Sequence, residues 1–166
     1  MKPHLSRLSP DQVEPRSLGA LSPDLMAGAA EIVNDVRDGG DAALREHAVR
    51  LGDLGPDGPM VLEPFDLRRA LDEIDAESRG VLERTAESIR AFAQAQKESL
   101  KDLDVAIDGG RAGHRVRPVR RAGCYAPGGR YPLPSSVLMT AVPARVAGVD
   151  EVWVASPRPG PVQLAA

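Results

Sequence analysis

The segment 123–134, with the sequence GCYAPGGRYPLP, holds the residues whose types and spacing could do chemistry. Its paired glycines after Pro127 permit a ligand to approach the backbone closely, and Tyr125 offers a flat ring for stacking on a base or nicotinamide ring. Ser135-Ser136 is predicted to cap a helix whose free backbone N–H groups favour anions. The residues alone leave two interpretations, a ligand-lining loop and a plain connection, and favour the second.

The other chemically reactive side chains form no recognisable motif. His4, His47 and His114 lie far apart in the sequence, and none has a second ligand at the spacing of a zinc site. We expect His47 to be a packed helix residue and His114 to be a solvated strand residue. Cys124 is the single cysteine, which excludes an internal disulfide, and it belongs to no nucleophile motif.

Positive charge is concentrated in one stretch of a chain whose net charge is −3. Residues 111–130 contain six arginines and no acid: Arg111, Arg115, Arg117, Arg120, Arg121 and Arg130. Such a field could attract a phosphate or a nucleic acid, or the arginines could be solvated residues that protect an edge strand. We favour the second interpretation and predict no nucleic-acid partner, because nucleic-acid-binding modules are usually basic over the whole domain and interleave aromatic residues for stacking.

Length and composition are those of a globular protein of one domain or slightly more. The chain has 166 residues, of which 42% are hydrophobic and 27% charged, with only five aromatic residues. The core must therefore be aliphatic. No apolar run is long enough to span a bilayer and residues 1–15 show no secretory signal, so we expect no membrane association and a cytoplasmic location.

Apolar periodicity predicts a layer of helices after a loose, proline-rich lead-in over residues 1–20. Four helices are expected, and the first two are delimited by a capping residue and a glycine. The first two run from Ser22 to Gly39 and from Asp41 to Gly52; the third begins near Asp66, and after a break at Asp75 the fourth runs to about Leu100.

After Leu100 the pattern changes to short strands. Val105 to Ile107 and Arg115 to Arg117 are predicted to form two strands around Gly109-Gly110. Segment 123–134 is expected to be irregular because it contains three prolines and three glycines. The elements predicted to follow are a helix from Ser135 to Gly148, a strand at 151–155, a loop at 156–160 and the first turn of a helix at 162–166. This order opens an α/β sheet, and the chain is expected to end within a domain.

One long segment resembles a known family. Residues 123–149, GCYAPGGRYPLPSSVLMTAVPARVAGV, closely resemble the N-terminal signature of the histidinol dehydrogenases, and EVWVASP at 151–157 is similar to the next strand and loop of that family. Weaker similarity lies upstream, in VRDGGDAAL at 36–44 and AESIRAFAQAQ at 86–96. The resemblance covers most of residues 20–166.

The resemblance implies a zinc-dependent, NAD-linked, homodimeric oxidoreductase that converts L-histidinol to L-histidine in histidine biosynthesis. It implies a fold of the α/β class, with an N-terminal helical layer followed by the start of an incomplete Rossmann-like domain. The expected divisions are a lead-in at 1–20, a helical layer with a short strand pair at 21–122, and a truncated NAD-binding domain at 123–166. It assigns Tyr125 to NAD binding and places Pro127 in the same site.

The resemblance also implies that much of the enzyme is missing. Members of the family are considerably longer, and their zinc ligands, substrate-binding groups and catalytic Glu-His pair match no residue here. Glu46-His47 is a Glu-His pair in sequence, but it lies in the predicted N-terminal helical layer, where we expect an exposed and a packed helix residue. We therefore expect an inactive N-terminal fragment without catalytic or zinc-binding residues. Two alternatives remain open: a non-catalytic helical or nucleotide-binding module, and a zinc dehydrogenase of another small alcohol.

Overall fold

The computed structural model describes residue 9 and the ranges 22–128 and 132–166. Apart from residue 9, the predicted lead-in at 1–20 lies outside the described residues. The chain divides into two compact units, residues 1–47 and 48–166, which are described separately. In the described ranges, no helix combines the length and the apolar character that crossing a membrane requires.

The first helix, α1, runs from Pro23 to Arg50 and is interrupted at Gly40. At Gly40 φ is 58° and ψ is −141°, a backbone conformation that residues with a Cβ rarely adopt. The predicted division into two helices at Gly39-Gly40 is thus confirmed. In the first unit, His47 Nε2 lies 3.1 Å from Asp35 Oδ2 and its side chain is mostly buried, as expected for a packed residue.

Helices α2 (Pro64–Glu73) and α3 (Ala76–Ser99) confirm the predicted break at Asp75. Asp75 is the N-cap of α3, and its Oδ1 accepts a hydrogen bond of 2.7 Å from the Ser78 amide. This bond holds the pKa of the Asp75 carboxyl below its ordinary value. The local rules of capping therefore delimit both helices.

Strands β1 (Leu103–Ile107) and β2 (Gly110–His114) form an antiparallel hairpin around Gly109, whose φ is 80°. The second strand was predicted at Arg115 to Arg117, and that prediction is wrong. Beyond His114 the backbone leaves the ladder, because the Val116 amide donates to Asp102 Oδ1 at 2.8 Å instead of to a strand carbonyl. His114 is an exposed strand residue, as predicted.

Strands β3 (Arg121–Tyr125) and β4 (Glu151–Ala155) pair in parallel and are joined through helix α4 (Pro134–Ala147). The prediction that the irregular segment begins at Gly123 is wrong, because Gly123 to Tyr125 pair with Trp153 to Ala155. Pairing with a distant strand overrides the local breaking tendency of glycine. The predicted strand at 151–155 and the loop after it are confirmed.

The predicted helix cap at Ser135-Ser136 is also wrong. Helix α4 begins one residue earlier at Pro134, and its N-cap, Leu133, makes no side-chain hydrogen bond. Proline suits the first helical turn because its φ is already helical and it has no N–H to satisfy. At the other end, Gly148 closes the helix with φ 97°, as predicted.

The core of the second unit lies between the helices and one face of the parallel strands. Helix α3 packs against α4, and the short helix α5 (Pro161–Ala165) packs against α2. The buried apolar residues are Ala70, Leu82, Ala93, Cys124, Ala126, Val137, Leu138 and Val149. The structure is a partial α/β fold preceded by helices, which confirms the predicted fold class, while the divisions at 1–20, 21–122 and 123–166 stay predictions.

We expect Asp75→Ala to lower the melting temperature of the chain by a few degrees at neutral pH, because the first turn of α3 loses its capping acceptor. Asp75→Asn is the matched control, since its amide oxygen still caps the helix. Thermal unfolding followed by circular dichroism measures the effect.

The same pair of variants predicts a pH dependence. The folded-state pKa of Asp75 is depressed, so the stabilisation is complete above the unfolded pKa and is lost as pH falls through the folded value. The difference in melting temperature between wild type and Asp75→Ala should therefore become smaller at acidic pH. A difference that stays constant across that pH range would contradict the capping role.

Candidate functional site

The carboxyl ends of β3 and β4 lie side by side, because parallel strands in register must end at the same edge of the sheet. Tyr125, the last residue of β3, is opposite Ala155, the last residue of β4. The Ala126 amide extends the ladder by donating to the Ala155 carbonyl at 3.0 Å. Open α/β sheets bind their ligands outside this edge, which makes it the candidate site.

Tyr125 lies on the sheet face opposite α4. Side chains alternate along a strand, and the preceding residue, Cys124, is buried on the side that α4 covers. The Tyr125 side chain is 62% exposed, so its ring is accessible to a planar ligand. Pro127, the second residue that the resemblance assigned, is half-buried two positions further on.

Gly128 brings the loop after β3 against the loop after β4. A Cβ at this position would overlap the carbonyl oxygen of Pro157 and lie 2.7 Å from its Cγ. The φ of Gly128 is not in the left-handed region, so the glycine is needed for space and not for its backbone conformation. The space above Gly128 is thus occupied by Pro157 of the same chain, and the close approach of a ligand to these glycines stays a prediction. Gly129, Arg130 and Tyr131 lie outside the described residues.

The N-terminus of α4 offers fewer amides to an anion than its sequence suggests. Pro134 has no N–H, and the Ser136 amide donates to the Leu133 carbonyl at 3.1 Å. An anion at a helix N-terminus needs free amides of this first turn. Stacking on Tyr125 is thus a better-supported mode of ligand contact at this edge than anion binding by α4.

Trp153 shares the open face of the sheet with Tyr125. It is opposite Gly123 in the neighbouring strand and is 57% exposed. On the same face, Arg121 and Glu151 form an ion pair of 2.6 Å. The sequence identified 151–155 as an apolar strand but did not identify this face, because residues 123–125 were expected to be irregular and their strand alternation was not recognised.

A groove of about 450 Å³ lies beside the first turns of α3, α4 and α5, and its lining includes Asp75, Ser78, Pro134 and Val162. Because hydrogen bonding to the Ser78 amide lowers the pKa of Asp75, this carboxylate is ionised at neutral pH. The negative charge disfavours a phosphate, although the groove lies near three helix N-termini. It is a poorer site for an anionic ligand than the open face around Tyr125.

Three of the clustered arginines are paired with acids. Arg111 lies 3.0 Å from Asp104, and Arg117 lies 3.3 Å from Asp102, in addition to the Arg121–Glu151 pair. The Val116 amide, and to a smaller extent Arg117, holds the pKa of the Asp102 carboxyl below its ordinary value. Paired, exposed arginines fit the edge-strand interpretation, while the absence of a nucleic-acid partner stays a prediction.

The described residues do not fit a zinc ion. Within 22–128 and 132–166, no three His, Cys, Asp or Glu side chains come together as a metal site would require. The side chains that could bind zinc are engaged or enclosed elsewhere: His114 Nε2 lies 3.1 Å from the Lys101 carbonyl oxygen, and Cys124 is buried beside α4. His4 lies outside the described residues.

A parallel strand–helix–strand unit is typical of α/β proteins, which bind their ligands outside the carboxyl ends of the strands. The chain belongs to the histidinol dehydrogenase family, whose sequence profile matches residues 20–166. It is 40% identical over 136 residues to a histidinol dehydrogenase from Methanococcus maripaludis, which covers 82% of this chain and 32% of the relative. It is 42% identical over 144 residues to one from Cereibacter sphaeroides, covering 85% of this chain and 32% of the relative.

The fold is similar to that of a solved relative. The crystal structure of histidinol dehydrogenase from Elizabethkingia anophelis matches with a TM-score of 0.71 at 23% identity, over 88% of this chain and 34% of that one. The chain thus spans about a third of the length of the relatives that it matches.

Gly128→Ala tests the contact between the two loops. We expect it to lower the free energy of unfolding by about 1–3 kcal/mol, because the added methyl group forces Pro157 away. Gly123→Ala is the matched control, since a Cβ there meets no atom within 4 Å. Chemical denaturation of both variants checks this, and equal stabilities would contradict the close approach.

Proposed function

We propose that the chain provides the N-terminal part of a histidinol dehydrogenase that oxidises L-histidinol to L-histidine with NAD and zinc. Membership of the family is the observation that carries the proposal. The assembly that the proposal implies is a homodimer in the cytoplasm. Since the chain spans about a third of its relatives, its own part in this reaction is argued from the carboxyl edge of β3 and β4.

In this proposal the residues at the edge bind NAD. The exposed ring of Tyr125 stacks on a planar group of the dinucleotide, and Pro127 lines the same site. The contact of Gly128 with Pro157 keeps the loop that carries Pro127 against the sheet. Conversion of the alcohol to the acid through the aldehyde removes two hydrides and consumes one water. Two molecules of NAD bound in turn would accept these hydrides, which is chemistry that no side chain supplies.

The remaining catalytic functions are assigned outside the described residues. Oxidation of an alcohol by NAD needs a base to take the hydroxyl proton, and the family uses a Glu-His pair and zinc ligands that match none of these residues. Glu46-His47 lies in α1, and His47 Nε2 is 3.1 Å from Asp35. We therefore propose that this chain contributes cofactor binding and does not perform the proton transfer.

Tyr125→Ala should weaken the binding of NAD by about tenfold or more, since base–aromatic stacking contributes about 1–3 kcal/mol. Tyr125→Phe keeps the ring and should bind within about twofold of wild type. Trp153 is the single tryptophan and lies on the same sheet face, so quenching of its fluorescence reports binding at this face. Equal affinities of wild type and Tyr125→Ala would contradict the assignment.

The purified chain of 166 residues should give no histidinol-dependent formation of NADH, followed by absorbance, with or without added zinc. The expectation follows because the proposed base and metal ligands are not among its described residues. Turnover that disappears in Tyr125→Ala and persists in Tyr125→Phe would show that this part of the protein carries catalytic residues after all.

A further inference from the structure

A polar side chain is buried directly behind the loop that follows β4. The Gln163 side chain, on α5, is only 5% exposed, although glutamine is usually a surface residue. Its Nε2 donates a hydrogen bond of 2.9 Å to the Ser156 hydroxyl oxygen. Ser156 is the first residue after β4, so this bond closes the loop 156–160 onto the helix that ends it.

The closed loop is the one that touches Gly128. Pro157 directly follows Ser156, and its carbonyl oxygen and ring leave no space for a Cβ at Gly128. A continuous series of contacts thus runs from Gln163 through Ser156 and Pro157 to Gly128, next to Pro127. The far end of the series lies at the edge where Tyr125 is exposed.

A glutamine at position 163 and a serine at position 156 indicate that their hydrogen bond fixes the position of the loop after β4, in addition to filling buried space. Burying an amide costs free energy unless the amide is hydrogen-bonded, whereas an apolar residue at position 163 could be buried without that cost. A hydrogen bond has a preferred distance and direction, which an apolar contact lacks. Helix α5 packs against α2, which gives Gln163 a fixed base from which to hold the loop.

We infer that Ser156 and Gln163 are positioning residues that set the loop after β4 so that Pro157 holds Gly128 and Pro127 in place for the dinucleotide. This inference rests on the proposed function for its ligand, since NAD is the molecule that the edge would receive. In this inference both residues act through Pro157, and no contact with the cofactor is assigned to either side chain.

Ser156→Ala and Gln163→Leu test the inference in the chain of 166 residues. Each variant removes one side of the hydrogen bond, and the first is a small truncation in a loop. NAD affinity, measured by quenching of Trp153 fluorescence, should fall about fivefold to tenfold, as expected for one neutral hydrogen bond. The double variant should be no weaker than the weaker single variant, because both remove the same contact.

Nuclear magnetic resonance of the Gly128 amide gives a readout that does not depend on NAD. Its chemical shift should move and its hydrogen exchange should accelerate in both variants, whereas Ser156→Thr, which keeps the hydroxyl, should restore the wild-type values. Gln94→Leu is the matched control, since Gln94 is exposed on α3 and should change neither measurement.

The results separate this inference from the proposed function. If wild type does not bind NAD, the proposed function fails for this chain, and the Gly128 resonance alone then decides whether the pair positions the loop. An unchanged Gly128 amide in both variants would overturn the inference. So would a change at Gly128 that leaves a measurable NAD affinity unaltered.

Discussion

The parallel pairing of β3 with β4 is the constraint on which the rest of the site depends. Parallel strands cannot be joined by a tight turn, so the chain must cross over, and here it does so through α4. The crossover covers part of one sheet face with α4, over Cys124, and leaves the carboxyl ends of both strands together. It therefore brings Tyr125, from one end of the crossover, beside the loop that begins at Ser156.

The same constraint gives the two faces of the sheet different environments. Cys124 and Ala126 are buried on the helix side of the unit, whereas Tyr125 and Trp153 are exposed on the opposite face. Sheets built from parallel strands usually have both faces covered. The open face of this unit is thus a surface that a ligand or further protein could cover, and it carries Tyr125 and Trp153.

Much of the fold could be predicted from local sequence. Periodicity, the break at Asp75 and the glycines at 39–40 and 148 predicted where the helices are divided, because these signals act within one or two turns. The errors arose where distant residues decide the structure. Asp102 draws Val116 away from the hairpin, and pairing with β4 makes Gly123 part of a strand.

In the candidate site, too, some features could be assigned from neighbouring residues, whereas others depend on residues that are distant in the sequence. Tyr125 and Pro127 were assigned through a resemblance, and the structure adds that the ring of Tyr125 is accessible at the edge. The contact of Gly128 with Pro157 and the bond from Gln163 to Ser156 join separate parts of the chain. Neither has a signal in spacing or composition, so neither could be predicted before the strands were paired.

The central claim is that the carboxyl edge of β3 and β4 is the surface that receives NAD. Titration of the isotope-labelled chain with NAD, followed residue by residue by nuclear magnetic resonance, tests it most directly. We expect the largest shifts at Tyr125, Gly128 and residues 156–160. Shifts concentrated in the groove at Asp75 and Ser78, or on the hairpin of β1 and β2, or no shifts at saturating NAD, would contradict it.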